Sequence, residues 1–308
     1  MATMNPRPFR GIYPILQTPF REDDTIDVAA LRRELEFVIA AGTHGVVWPQ
    51  AGSEFWLLTD AERFEIAELI VYTVAGRLPV IVGVQSTNHW RTALAFARHA
   101  ELIGADGIIS LPPYPAEPSI EQAVTYYRTL SKATSLPVFV QNTAGKFGPP
   151  LSVDAMIGLA RECPTPAYVK DEVQPSLERI AELAHKGAGL MQGIFTGSGA
   201  NFLMDELRAG AQGCCPGADM VDVFSRAFDL YQAGEETQAQ ALFDRLAPMR
   251  DAQLDAHWLL LMKERLRRRG VFSSTRSRVA PYELRWKTAA DQAAFDAAYA
   301  AIEPLFSL

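Results

Sequence analysis

Lys170 ends the run Ala167-Tyr168-Val169-Lys170, and Glu172 follows two positions later. Residues two apart on an extended strand share a face, so Tyr168, Lys170 and Glu172 point the same way. A lysine facing a protein interior is costly as a cation. Desolvation lowers its pKa from about 10.4 and leaves some neutral amine at pH 7. A neutral amine attacks a carbonyl to form an iminium. The same residue read without chemistry is a lysine that pairs with Glu172 or snorkels to water.

Three further segments place polar groups where strands end. Gln50-Ala51-Gly52-Ser53-Glu54 can offer backbone N–H groups and a hydroxyl to an anion such as a carboxylate, and can equally be a plain turn. Gln141-Asn142-Thr143 carries two amides that either build a structural network or orient a substrate. Leu111-Pro112-Pro113-Tyr114-Pro115 is a stiff loop that holds Tyr114 near a cleft or packs it between subunits or loops. The histidines, at 44, 89, 99, 185 and 257, have no metal-ligand spacing, and no nucleophile elbow or phosphate loop is present.

The elements that must position these groups alternate strictly. Strands are expected at Gly11–Leu16, Gly45–Trp48, Leu78–Val84, Gly107–Leu111, Pro137–Gln141, Ala167–Lys170, Gly189–Gln192 and Gly213–Pro216, with a helix between each pair. Asp27, Thr59, Ser119 and Ser152 are the expected N-caps, Thr59 with Glu62 in a capping box, and Pro175 opens a further helix. A helix is also expected from about Gly199 to Ala209. Strands that alternate with helices run parallel, and eight repeats without a break in order favour an α/β fold of the (β/α)8 TIM-barrel type over an open sheet. After residue 218 the strands stop. Val221–Ala233, Glu236–Leu246, Gln253–Arg269 and Ala289–Ile302 are read as helices, giving a barrel over 1–218 and a C-terminal helical appendage over 219–308 packed on it.

A chain of 308 residues with 48% apolar and 21% charged residues affords a sizeable core. The net charge of −7 and the short cationic run Arg265–Arg269 give no footprint for nucleic acid. Cys163, Cys214 and Cys215 match neither a zinc pattern nor a disulfide framework and are read as buried, reduced thiols. The first ten residues hold no apolar signal region, and stretches such as Trp258–Met262 are too short to span a bilayer. A cytoplasmic protein is expected.

Taken together, the motifs resemble the dihydrodipicolinate synthase / N-acetylneuraminate lyase family of class I aldolases, over about residues 9–305. Gly11-Ile12-Tyr13-Pro14 leading to Thr18-Pro19-Phe20 looks like that family's first strand. Ala51-Gly52-Ser53-Glu54 falls on its carboxylate-binding loop, Pro137–Asn142 on its fifth strand, and Val169-Lys170-Asp171 on its Schiff-base lysine. The resemblance implies that Lys170 forms an imine with a small 2-oxo acid. It assigns Ala51, Gly52, Ser53, Gly193 and Tyr114 to substrate binding, calls for no cofactor or metal, and implies a homotetramer.

The departures narrow the activity. The family's strand-five tyrosine, whose phenol shuttles a proton to the substrate hydroxyl, is Gln141, and an amide has no titratable proton near neutral pH. The arginine of the synthases is at most Lys146, and of the loop hydroxyls only Ser53 is left. Ser53-Glu54, Val140-Gln141, Tyr168-Val169-Lys170-Asp171-Glu172 and the stretch Gly270–Ser274 through Pro281–Leu284 are similar instead to the L-2-keto-3-deoxyarabonate dehydratase-like branch. The expectation is a lyase that dehydrates a 2-keto-3-deoxy sugar acid with Lys170, Glu172 and Gln141. A pyruvate-dependent aldolase or synthase and a barrel that only binds a small acid are the rival readings.

Overall fold

The structure, a computed structural model, describes residues 8–87, 89–113, 117–163, 165, 167–252 and 257–308. Eight strands form one sheet: β1 (Gly11–Ile12), β2 (Val46–Trp48), β3 (Val80–Gly83), β4 (Gly107–Ser110), β5 (Val138–Asn142), β6 (Ala167–Asp171), β7 (Met191–Thr196) and β8 (Gly213–Cys214). Their order is β1-β8-β7-β6-β5-β4-β3-β2, and the resolved pairings from β3 to β8 are parallel. Ile15 bridges Val47 in parallel just beyond β1, which links the first strand to the second. This is the strand order of a closed (β/α)8 barrel. Both faces of such strands are covered, so they are near-continuous apolar runs rather than alternating ones.

Helices α1 (Val28–Ala40), α2 (Asp60–Val74), α3 (Trp90–Leu102), α4 (Ile120–Ser131), α5 (Val153–Glu162), α6 (Ser176–Lys186), α7 (Leu203–Arg208) and α8 (Val221–Gln232) follow the strands in turn. Asp27, Thr59, Ser119 and Ser152 cap their helices as expected: each side-chain oxygen accepts a backbone N–H of the first turn. The helix expected from Gly199 starts only at Leu203. Ser198, Gly199 and Ala200 all have positive φ (49°, 65° and 62°), which no right-handed helix accommodates. The C-terminal helices are α9 (Glu236–Asp244), α10 (Ala247–Arg250), α11 (Trp258–Arg268) and α12 (Ala289–Ile302). Residues 253–256, expected to begin α11, lie outside the described residues.

The chain packs as two compact units. One holds the chain up to Gly11 with Ile81–Cys215, and the other holds Ile12–Val80 with Pro216–Leu308. In the first, Phe139 stacks on Tyr168 at 4.5 Å between ring centroids and meets Phe195 edge-on at 5.2 Å, while Phe9 packs on both Phe139 and Tyr168. In the second, the helices read as an appendage share a core with the first two βα repeats. Leu266, Val271 and Phe272 pack on Ala30 and Phe37 of α1. Among the described residues no helix is long and apolar enough to cross a membrane.

Candidate active site

Strand β6 carries Lys170 at its fourth position. Its register with β5 sets Gln141 beside Lys170 and Asn142 beside Asp171. Glu172 lies one residue past β6, yet its N–H still donates to Asn142 O at 2.9 Å. The ladder therefore keeps Glu172 extended and on the face of Lys170. The two side chains meet, with Lys170 Nζ 3.1 Å from Glu172 Oε2. The expected pairing of these two residues is present.

Three groups hold the Glu172 carboxylate. Gln141 Nε2 donates to Oε2 at 2.9 Å, and the Ser198 N–H donates to Oε1 at 2.9 Å. An amide that donates to a carboxylate turns its own oxygen away from it. Gln141 Oε1 is buried and has no hydrogen-bond partner among the described residues, so an acceptor stands ready for a donor supplied from outside. The question of the two strand-five amides is resolved by their partners. Asn142 is fully engaged, donating to Leu151 O and to Asp171 while its own oxygen accepts the Leu151 N–H. Asp171, on the opposite face, also pairs with Arg179 at 2.9 Å.

The pair is buried unequally. The Lys170 side chain is 3% exposed and that of Glu172 19%, so the carboxylate is the partner that an incoming molecule reaches. Burial alone lowers the pKa of Lys170, as the sequence argument expected. Burial is the largest single influence, but the Glu172 charge and hydrogen bond, with contributions from Cys215 and Cys214, together raise it above the ordinary lysine value. Burial likewise works to raise Glu172, but the Lys170 charge and the donated Ser198 and Gln141 hydrogen bonds bring it below the ordinary carboxylate value. The resting state is thus an ammonium–carboxylate pair, and the expected neutral amine arises only when the proton passes to Glu172. Beside the pair, burial pushes the Cys215 thiol up to about 12 and the Cys214 thiol well above its ordinary range. Both remain neutral thiols at working pH.

The end of β7 completes this cluster. A Cβ at Gly197 would clash with Glu172 Oε1 and lie 2.7 Å from Lys170 Cε, so only glycine admits the pair. Neither Gly197 nor Ser198 stood out in the sequence. The strand was expected to end at Gln192, and the glycines that follow resemble an ordinary loop. Gly193, assigned to substrate binding, pairs with Tyr168 in the register, and a Cβ there would lie 2.8 Å from the Tyr168 ring. Its place is two residues before Phe195, the neighbour of Lys170. Tyr114 lies outside the described residues, as does the side chain of Lys146.

In the second unit, Ala51–Ser53 form a single 3-10 turn after β2. The Ser53 hydroxyl accepts the Gln50 N–H at 3.1 Å and donates to Leu16 O at 2.5 Å, so its proton is already engaged. Thr18 Oγ1 donates to Ser53 O at 2.7 Å. The N–H groups of Ala51 and Gly52 have no partner among the described residues. Of the backbone N–H groups and the hydroxyl that the sequence reading offered for an anion, the hydroxyl is engaged within the protein.

The repeat fold is that of a (β/α)8 enzyme, and the lysine–glutamate pair lies at the carboxyl end of its sixth strand, the end at which such barrels carry their sites. The Dihydrodipicolinate synthetase family model matches residues 8–295, and the chain belongs to that family, whose members are Schiff-base lyases. The L-2-keto-3-deoxyarabonate dehydratase of Azospirillum brasilense is 30% identical over 287 residues, 92% of each chain. The 4-hydroxy-tetrahydrodipicolinate synthase of Gluconacetobacter diazotrophicus is 30% identical over 249 residues, 79% of this chain and 82% of its own. Among solved structures, dihydrodipicolinate synthase from Aquifex aeolicus superposes with a TM-score of 0.86 at 22% identity, covering 97% of this chain and 100% of its own. That from Rhodopseudomonas palustris gives 0.84 at 26% identity, covering 95% and 97%.

Proposed function

We propose that the protein is a hydro-lyase that removes water from a 2-keto-3-deoxy sugar acid through an imine on Lys170. The observation that carries this reading is the Gln141–Glu172–Lys170 arrangement. The amide sits where a retro-aldol enzyme of the family has a phenol, and the titratable group in contact with the lysine is a carboxylate. The similarity to a dehydratase over nearly the full length supports it.

Glu172 takes the ammonium proton as Lys170 adds to the 2-oxo carbon, then returns it to the carbinolamine hydroxyl, which leaves as water to give the iminium and restores the carboxylate. The iminium acidifies C3 by drawing electrons toward nitrogen. The Glu172 carboxylate removes a C3 proton, leaving an enamine, and returns that proton to the C4 hydroxyl, which departs as water. The resulting conjugated iminium takes up water, releasing the dehydrated oxo acid and the free amine. One carboxyl thus serves both halves of the elimination. Gln141 Nε2 fixes its orientation, and Gln141 Oε1 is the acceptor for a hydrogen bond from a substrate hydroxyl.

Incubation with 2-keto-3-deoxy pentonate and hexonate stereoisomers is expected to yield the acid lighter by one water, identified by mass. Pyruvate plus an aldehyde as the products would replace this reading with the aldolase. Borohydride reduction in the presence of pyruvate is expected to add a single adduct that peptide mass mapping places on Lys170. Gly197→Ala is expected to lower kcat about 100-fold, because its methyl displaces the carboxylate from its working geometry. The measurement is steady-state kinetics alongside a circular dichroism spectrum, and unchanged kcat would separate the glycine from the site.

A further inference from the structure

On the face of β6 opposite Lys170, four residues close a ring that the chemistry above does not use. Asn142, at the end of β5, donates from Nδ2 to Asp171 Oδ1 at 3.0 Å and to Leu151 O at 3.1 Å, and its Oδ1 accepts the Leu151 N–H at 2.8 Å. Arg179, on α6, donates from Nε to Asp171 Oδ2 at 2.9 Å and from a terminal nitrogen to Leu151 O at 2.9 Å. The ring thus runs from Asn142 to Asp171, Arg179, Leu151 and back to Asn142. Asn142, Leu151 and Asp171 are buried, and the Arg179 side chain is 17% exposed.

The ring grips the backbone that carries the reacting pair. Asp171 stands between Lys170 and Glu172 in the chain, so a fixed Asp171 side chain fixes the stretch from which both project the other way. Its Oδ1 also accepts the Val173 N–H at 3.2 Å, a local turn bond directly after Glu172. Asn142 meets the same segment a second time, because its carbonyl accepts the Glu172 N–H at 2.9 Å. The residue before it is Gln141, whose amide holds the Glu172 carboxylate.

A buried ion pair is weak evidence for stability, since apolar residues of similar volume commonly serve as well. Burial, the largest influence, keeps Asp171 above the ordinary carboxylate value despite Arg179 and the hydrogen bonds it accepts. What the ring adds is direction. The donors to Asp171 come from β5, from α6 and from its own turn, so the carboxylate is held from three sides.

We infer that Asn142 and Arg179, acting through Asp171, are positioning residues that hold Glu172 against Lys170. The bearing of this on turnover rests on the imine reading. The titratable groups that act on Lys170 are Glu172, Cys215 and Cys214, and Glu206 of α7 acts on Glu172 and Asp171. The informative variants leave all of these in place. Asn142→Ala opens the ring without changing any charge. Arg179→Lys keeps a cation for Asp171 but loses the fork that also holds Leu151 O.

The chain has six lysines, so the Lys170 ammonium can be followed by NMR in protein labelled with ε-13C-lysine and assigned with Lys170→Met. A displaced Glu172 leaves burial opposed only by the two cysteines, and Lys170 then gives up its proton at lower pH. The Lys170 titration midpoint is expected to fall by about one unit in Asn142→Ala, an about tenfold weaker hold on the proton, and by about half a unit in Arg179→Lys. A ring that is merely structural lowers the urea unfolding midpoint and leaves the Lys170 midpoint where it is. Unchanged Lys170 midpoints in both folded variants overturn the inference. If Asn142→Ala does not fold, Arg179→Lys decides alone: a fall supports the inference and no change overturns it. Borohydride trapping with pyruvate is run alongside on the wild type. Absence of an adduct there overturns the imine reading, whereas the Lys170 titration needs no imine and still decides the positioning.

Discussion

Glu172→Gln is expected to lower kcat about 1,000-fold, within the range for loss of a positioned acid–base group, while pyruvate still forms its adduct on Lys170. Glutamine keeps the shape and can still accept the Ser198 N–H. It loses the charge, and with it the ability to act as the base that the proposed dehydration requires. The sign of the effect on Lys170 follows from its opposing influences. Burial is the largest single influence and lowers its pKa, while the Glu172 charge and hydrogen bond, with Cys215 and Cys214, together raise it in the wild type. Without the carboxylate, burial is opposed only by the two neighbouring cysteines, so the Lys170 pKa shifts down and more neutral amine is present near pH 8. Adduct formation at limiting pyruvate is therefore expected to be nearly independent of pH around neutrality in the wild type, where the proton stays within the pair. In the variant it is expected to rise with pH through the lowered lysine value. The measurements are steady-state turnover and the pH profile of borohydride trapping. Turnover within tenfold of wild type would remove Glu172 from the chemistry.

The largest stability effect is expected at Asp222→Ala, a loss of about 3–5 kcal/mol from one half of a buried ion pair. Arg269 donates to both Asp222 oxygens, at 2.9 and 2.8 Å, and the two side chains are 1% and 0% exposed. Its guanidinium also lies 4.6 Å from the Phe37 ring centroid and 3.9 Å from that of Phe306, and the same carboxylate accepts the Ser307 N–H. One cluster therefore joins α1, α8, the end of α11 and the C-terminal tail. Removing the carboxylate leaves a cation with no counter-charge in that interior. Urea unfolding is expected to show the loss as a lower midpoint, with much of it recovered in Asp222→Leu/Arg269→Met. The pH dependence has a definite sign. Burial acts to raise the Asp222 pKa, but Arg269 and Ser307 hold it below its ordinary value of 3.8. Its contribution is complete above that value and is lost as pH falls through the lower native one. The wild-type midpoint should fall in that acidic window, and that of the alanine variant should fall less there.

Local chemistry made much of the fold legible. A cap is decided by a side chain and the N–H two or three residues on, so Asp27, Thr59, Ser119 and Ser152 could be placed without tertiary information. The exact two-residue period of a strand likewise put Glu172 beside Lys170. Strand β7 was misplaced because Gly193 interrupts its apolar run. The reason for that glycine, room for the Tyr168 ring, lies on another strand. The protonation state of Lys170 was misjudged because burial was visible in the pattern and the distance to its counter-charge was not. The engagement of Ser53 with Leu16, and of Glu54 with Lys263 and Ser277, depends on contacts between segments far apart in the chain. No periodicity announces contacts of that kind.

The ring cluster of Phe9, Phe139, Tyr168 and Phe195 has an electrical consequence. Tyr168 precedes the lysine by two residues on β6, Phe139 and Phe195 lie on the flanking strands, Phe9 packs on Phe139 and Tyr168, and all four are buried. They act as an insulating plate behind the charge. The Lys170 side chain is 3% exposed and that of Glu172 19%, and charges buried to this extent are screened by dissolved ions far less than exposed ones. The field at the pair is then a property of the protein rather than of the medium, and turnover should run at much the same rate in dilute buffer and in strong brine.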